Sequence, residues 1–234
     1  MSEVRIARFV DMQACKSIFS DTSTFVLRSS EYYMREHETS RGDERELEVS
    51  LSDGGSASSQ GVVLSCWSLL DEGTSILDEW DIFPDSVVAI ISTPSRVCTF
   101  LESAFEIEFR TMRDRRRFPF IFIEHKPVTY ADEVAEEITP DNIMDITVFT
   151  KRLRFAKQKE YRFALPYSMV PHVIDTYTFA KTPGDYIEEC FANPKMSKED
   201  KEMLRLILLQ AMAGYGYFCD KKMCEIIANA NILF

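Results

Sequence analysis

In the stretch FAKQKEYRFAL, residues 155–165, one carboxylate sits in a field of cations. Glu160 is surrounded by Lys151, Arg152, Arg154, Lys157, Lys159 and Arg162, with Gln158 two places before it. Nearby opposite charge favours the ionised form of a carboxylate, so Glu160 is predicted to stay charged. A fixed, ionised carboxylate can stabilise the electron-poor sugar that forms when a glycosidic bond breaks. The residues from 159 to 165 alternate as a strand does. Tyr161, Phe163 and Leu165 face one way, and Gln158, Glu160 and Arg162 face the other.

Two further positions fall on predicted strands. Arg28 lies near the end of TFVLRSS (24–30), and Ser65 lies in GVVLSCWS (61–68), followed by Trp67 and Ser68. The order of an Arg, an aromatic-flanked Ser and a Q-x-E at a strand's start resembles the R-S-E class of ADP-ribosyltransferases. The pieces that carry the resemblance are FVLRS, VLSCWS and QKE. With TYADE and FTKRLRFAKQKEYRF, the same segments are also similar to an uncharacterised bacterial family that often carries SCFS and EKEWR patterns. The likeness covers roughly residues 24–165 and leaves the tail unmatched.

The resemblance implies an α+β fold, a split β-sheet around an NAD cleft over residues 1–166, with a helical C-terminal extension over 167–234. It implies NAD as substrate and no metal. Arg28 would anchor the pyrophosphate, for which a guanidinium fork is suited. Ser65 would orient Glu160 and the nicotinamide ribose, with Trp67 and Ser68 in the same cofactor-binding stretch. Where the family has Ser-Thr-Ser this chain reads Ser-Cys-Trp-Ser, which leaves open which serine acts. Glu160 would be the catalytic carboxylate, and Gln158 would lie where the acceptor arrives. A Glu at that place suits arginine acceptors, so Gln158 points to a nucleobase or amide acceptor, with RNA or DNA favoured. The likeness to toxin and phage-defence enzymes further implies a neutralising protein partner.

Other readings stand beside this one. Taken singly, Arg28 fits a strand-end surface cation, Ser65 a buried strand serine with a satisfied hydroxyl, and Gln158 and Glu160 the charged face of an edge strand. Pro84-Asp85 and Glu124-x-Lys126 echo the PD-(D/E)xK nucleases, in which two carboxylates hold Mg²⁺ and the lysine assists hydrolysis. A non-catalytic binding module of the same fold is the third reading.

Composition limits the choices. The 234 residues suffice for one large domain or a domain with an appendage, and 45% hydrophobic content is that of a folded chain. No apolar run approaches the ~20 residues that span a bilayer, and MSEVRIARFVDM does not read as a signal peptide. Six cysteines without a CxxC, and three scattered histidines, predict free thiols in a reducing cytoplasm rather than zinc or disulfides. The net charge of −11 opposes general coating of polyanions. Residues 110–117 carry +4 and 151–162 carry +5, so the rest of the chain carries −20. These two clusters are either solvated faces or local anion sites.

The elements that must position these residues follow from periodicity and punctuation. An amphipathic helix is predicted over 3–19, strands over 24–30 and 61–68, and a flexible Gly/Ser loop at SLSDGGSASSQ. A short helix before Pro84, a strand over 86–92 and a helix opening at Pro94 come next. Strands at 118–124 and 127–132 are predicted to meet in a tight turn at His125-Lys126, followed by a short helix and loop over 133–150. After Pro166 helix is expected, with a capping box at SKED (197–200), an interhelical turn at GYGYF and a last helix over 219–229.

Overall fold

The computed structural model describes residues 4–19, 24–29, 43, 45, 47–59, 62–71, 75–111, 123–166, 176–180, 185–217 and 225–227. It is a mixed α+β protein. Its strands are β1 (Arg5–Val10), β2 (Thr24–Ser29), β3 (Glu48–Ser50), β4 (Ser56–Ser58), β5 (Val62–Leu70), β6 (Val88–Ser92), β7 (Glu124–Pro127), β8 (Thr129–Tyr130), β9 (Thr150–Lys151), β10 (Glu160–Pro166), β11 (Thr176–Ala180) and β12 (Glu189–Ala192). The helices are α1 (Met12–Phe19), α2 (Ile76–Glu79), α3 (Pro94–Thr111), α4 (Ile143–Phe149) and α5 (Lys198–Tyr217), with a 3-10 helix at Leu153–Gln158.

The chain divides into two compact units. The first comprises Met1–Phe25, Leu70–Ala104 and Thr178–Phe234, and the second Val26–Leu69 and Phe105–Tyr177. Residue 166, the expected boundary, lies inside the second.

In the first unit β6 pairs antiparallel with β1 and with β12. All five residues of β6 are buried, as both faces of a central strand require. Phe9 meets the Trp80 ring edge-on at 5.1 Å and stacks on Phe83 at 4.5 Å, and Ala7, Ala89 and Ile91 complete this cluster. The helix expected over 3–19 is instead β1 followed by α1. Ile6, Ala7, Phe9 and Val10 are buried on both faces of the strand, so their spacing lacks the strict alternation of a half-exposed one. Asp11 starts the helix by accepting the Ala14 N–H at 2.7 Å.

In the second unit β10 lies between β5 and β7, antiparallel to both, and β2 pairs with β5. Leu47, Val62, Leu64, Val148, Phe149 and Ala164 form its core. Two local expectations change here. SLSDGGSASSQ builds much of the β3–β4 hairpin, in which Gly54 takes φ +87° and Asp53 accepts the Gly55 N–H. His125 and Lys126 lie within β7, opposite Phe163 and Arg162, and make no turn. The strand expected over 118–124 falls largely outside the described residues.

Beyond Pro166, strands β11 and β12 stand where helix was expected; TYTFA is β-branched and aromatic. Ser197 caps α5 as expected: its Oγ accepts the Asp200 N–H, and it donates to the Asp200 carboxylate in place of the box's backbone bond. GYGY continues α5 to Tyr217, so no turn forms there. Of the last predicted helix, residues 225–227 are described and helical.

Candidate functional site

The approach to Glu160 is a sequence of short, constrained pieces. α4 ends at Phe149, β9 covers Thr150–Lys151, and the 3-10 helix runs to Gln158. Lys159 then takes the left-handed conformation, φ +45°, and its N–H closes the helix on the Ala156 carbonyl. A non-glycine residue in that region costs on the order of 1 kcal/mol and persists only where its surroundings fix it. The Lys159 carbonyl accepts the Leu69 N–H, the Glu160 carbonyl accepts the Val128 N–H, and the Glu160 N–H donates to the Tyr130 hydroxyl at 2.6 Å. The backbone at Glu160 is therefore held from three sides.

Its side chain is the centre of a buried ion cluster. Lys151 Nζ donates to Glu160 Oε1 at 2.5 Å and to Gln158 Oε1 at 3.0 Å. Arg162 Nε donates to Glu160 Oε2 at 2.8 Å, and its Nη1 donates to the Val148 carbonyl at 2.6 Å. Glu160 is 7% exposed and Arg162 is fully buried. Burial alone would raise the Glu160 pKa; the charges of Lys151 and Arg162 overcome it and hold the carboxyl at about 2. Burial, then the Glu160 charge, pushes the Tyr130 phenol up to about 12. Arg152 forms a two-pronged ion pair with Asp43, whose carboxyl stays below its usual range because that pairing outweighs burial.

Strand register decides which predicted residues share a face. Glu160 lies opposite Ser68, Arg162 opposite Cys66, and Leu64 is opposite both Ala164 and Arg28. Directly paired residues project to the same side, so Arg28, Ser68, Glu160 and Arg162 lie on one face. Ser65 and Trp67, opposite Phe163 and Tyr161, lie on the other. Ser65 is fully buried, and its hydroxyl accepts the Trp67 Nε1–H at 3.0 Å. Gln158 joins the Glu160 cluster, whereas Ser65 and Trp67 face away from it. Arg28 is not beside Glu160. Its partner Leu64 lies four residues along β5 from Ser68, about 13 Å at strand spacing.

Sequence reasoning grouped the cations without assigning them. Arg162 was readable as a direct partner, being two residues from Glu160 on one face. Lys151, nine residues away across a 3-10 helix, and Tyr130 had no such signal.

The residues of the nuclease constellation are divided between the units. Asp85 belongs to the first unit, and Glu124 and Lys126 to the second. The Lys126 amine pairs with Asp145 and lies 4.8 Å from the centre of the Phe149 ring. The RDRRR run (113–117) falls outside the described residues. Among the described residues, no group of three or more His, Cys, Asp and Glu could hold a metal ion, and no helix is long and apolar enough to cross a membrane. Cys15, Cys66, Cys98 and Cys190 are free thiols. No protein-family model, curated protein or solved structure matches this chain.

Proposed function

We propose that this chain transfers ADP-ribose from NAD to a macromolecular acceptor, without a metal, on an ADP-ribosyltransferase-like split sheet. A nucleic-acid base is the favoured acceptor, the setting is the bacterial cytoplasm, and the role is that of a toxin or phage-defence effector restrained by a neutralising protein. The observation that carries the reading is Glu160, ionised by Lys151 and Arg162, directly opposite Ser68 and on the same strand face as Arg28. Ser68, rather than Ser65, suits the orienting role on that face. A carboxylate has about four acceptor directions. The two cationic donors use two of these, and a ribose hydroxyl would take another as the sugar gains positive charge. The separation between Arg28 and Ser68 along the face is that of two ends of an elongated ligand, phosphates at one and the nicotinamide ribose at the other.

The test incubates the folded protein with labelled NAD, EDTA and, in separate reactions, RNA, DNA or cell protein. NAD consumption with label on nucleic acid is expected, together with strong loss in Ser68→Ala and little change in Ser65→Ala. Absence of NAD consumption by the folded wild type ends this reading. A second reading, a non-catalytic module, is favoured by the burial of Glu160 and the engagement of both its oxygens. It predicts no NAD-induced rise in Tm.

A further inference from the structure

We infer that the 3-10 helix Leu153–Gln158 is a docking ridge for single-stranded nucleic acid. This inference rests on charge and geometry in the second unit and holds whether or not the chain uses NAD. Of the six cations between 151 and 162, Lys151 and Arg162 both pair with Glu160, and Arg152 pairs with Asp43. Arg154 and Lys157 differ. Both are exposed, and neither has an ion-pair partner among the described residues. Side chains three apart eclipse in a 3-10 helix, so the two project from the same side.

Phe155 projects about a third of a turn away, on the side of Gln158, partly buried and ringed by charge. The Arg154 guanidinium is 4.7 Å from the ring centre, the Lys151 amine 4.8 Å and the Arg152 guanidinium 5.7 Å. Leu153, 55% exposed, adds apolar surface on the remaining side of the helix. The Asp132 carboxylate accepts the Leu153 backbone N–H at 3.1 Å.

An aromatic ring flanked by outward cations is what a flexible polyanion with planar bases requires. Bases stack on Phe155 and the Arg154 plane while phosphates meet Arg154 and Lys157. A duplex keeps its base faces stacked on one another and cannot use the ring. An acidic protein could meet the cations but has no base to stack. With two phosphate contacts, binding at this ridge weakens with salt at a log–log slope of about −1.4.

The experiment titrates the full chain, without NAD, into fluorescein-labelled oligouridylate, its duplex counterpart and polyglutamate across a salt series. Tight binding of the single strand alone is expected. Arg154→Ser with Lys157→Ser should lower the magnitude of the log–log salt slope by about 1.4, at about 0.7 per lost phosphate contact. Phe155→Leu should weaken binding about tenfold, and Phe155→Trp should restore it. Should Phe155→Leu fail to fold, the two surface substitutions still decide. Equal affinity for duplex or polyglutamate, or an unchanged slope in the double variant, overturns the inference. NAD consumption is not read, so its failure and this one are separate results.

Discussion

Strands β6 and β10 are alike in setting and opposite in chemistry. Each lies between two antiparallel partners within its own unit. β6 presents Ala89 and Ile91 to an interior of Phe9, Trp80 and Phe83, and buries Val88 and Ile90 on its other face. β10 buries Tyr161, Phe163, Ala164 and Leu165, yet it also carries Glu160 and Arg162 inside. Burial of apolar surface is non-directional, so β6 tolerates changes of shape at a graded cost. Buried charges behave otherwise: each ion costs several kcal/mol to desolvate, and the pairs offset this only while every member is present. The first region is stabilised by quantity of contact and the second by balance of charge.

The comparison breaks most sharply at Glu160. Glu160→Leu leaves Lys151 and Arg162 buried without a counter-charge and should cost about 3–5 kcal/mol in urea unfolding. Replacing all three at once, Lys151→Met, Glu160→Leu and Arg162→Met, should cost far less, because no uncompensated charge remains. If the single and triple variants lose the same amount, charge balance is not what holds β10. Acid titration sharpens the same point. The Glu160 pKa falls from an ordinary 4.5 to about 2 on folding. Its contribution is therefore present above pH 4.5 and is lost as pH falls through 2. Asp43, also lowered by its partner Arg152, acts in the same direction. Stability against pH should decline over that range in the wild type, and less steeply in the triple variant, as followed by circular dichroism.

This contrast also explains what the sequence disclosed. Strands β2, β5, β6 and β10 and helix α3 were legible because local composition and periodicity coincide there. The N-terminal strand was not, since burial on both faces erases alternation. The β3–β4 hairpin was hidden because Gly and Ser serve a flexible loop and a tight hairpin equally well. At the site, the ionisation of Glu160 followed from local charge and agrees with its paired state. Its partner across the sheet did not. Ser65 and Ser68 look equivalent in the chain, and only register, a long-range property set by which residue of β5 meets which of β10, separates their faces.

Smaller effects probe the other side of the comparison. Ile91→Val removes one methylene from the first unit and should cost about 1 kcal/mol, with cooperativity of unfolding retained. The least effect is expected at Arg5 and Glu189, which join β1 to β12 by an ion pair at 2.8 Å, each about half exposed. This pair shares its chemistry with Glu160–Arg162, also at 2.8 Å, and differs in burial. Water and salt screen it, and ordering two flexible side chains offsets much of the attraction. A double-mutant cycle with Arg5→Ala and Glu189→Ala should give a coupling below about 1 kcal/mol that fades in high salt. A salt-resistant coupling as large as that at Glu160 would mean that burial is not what separates the two regions.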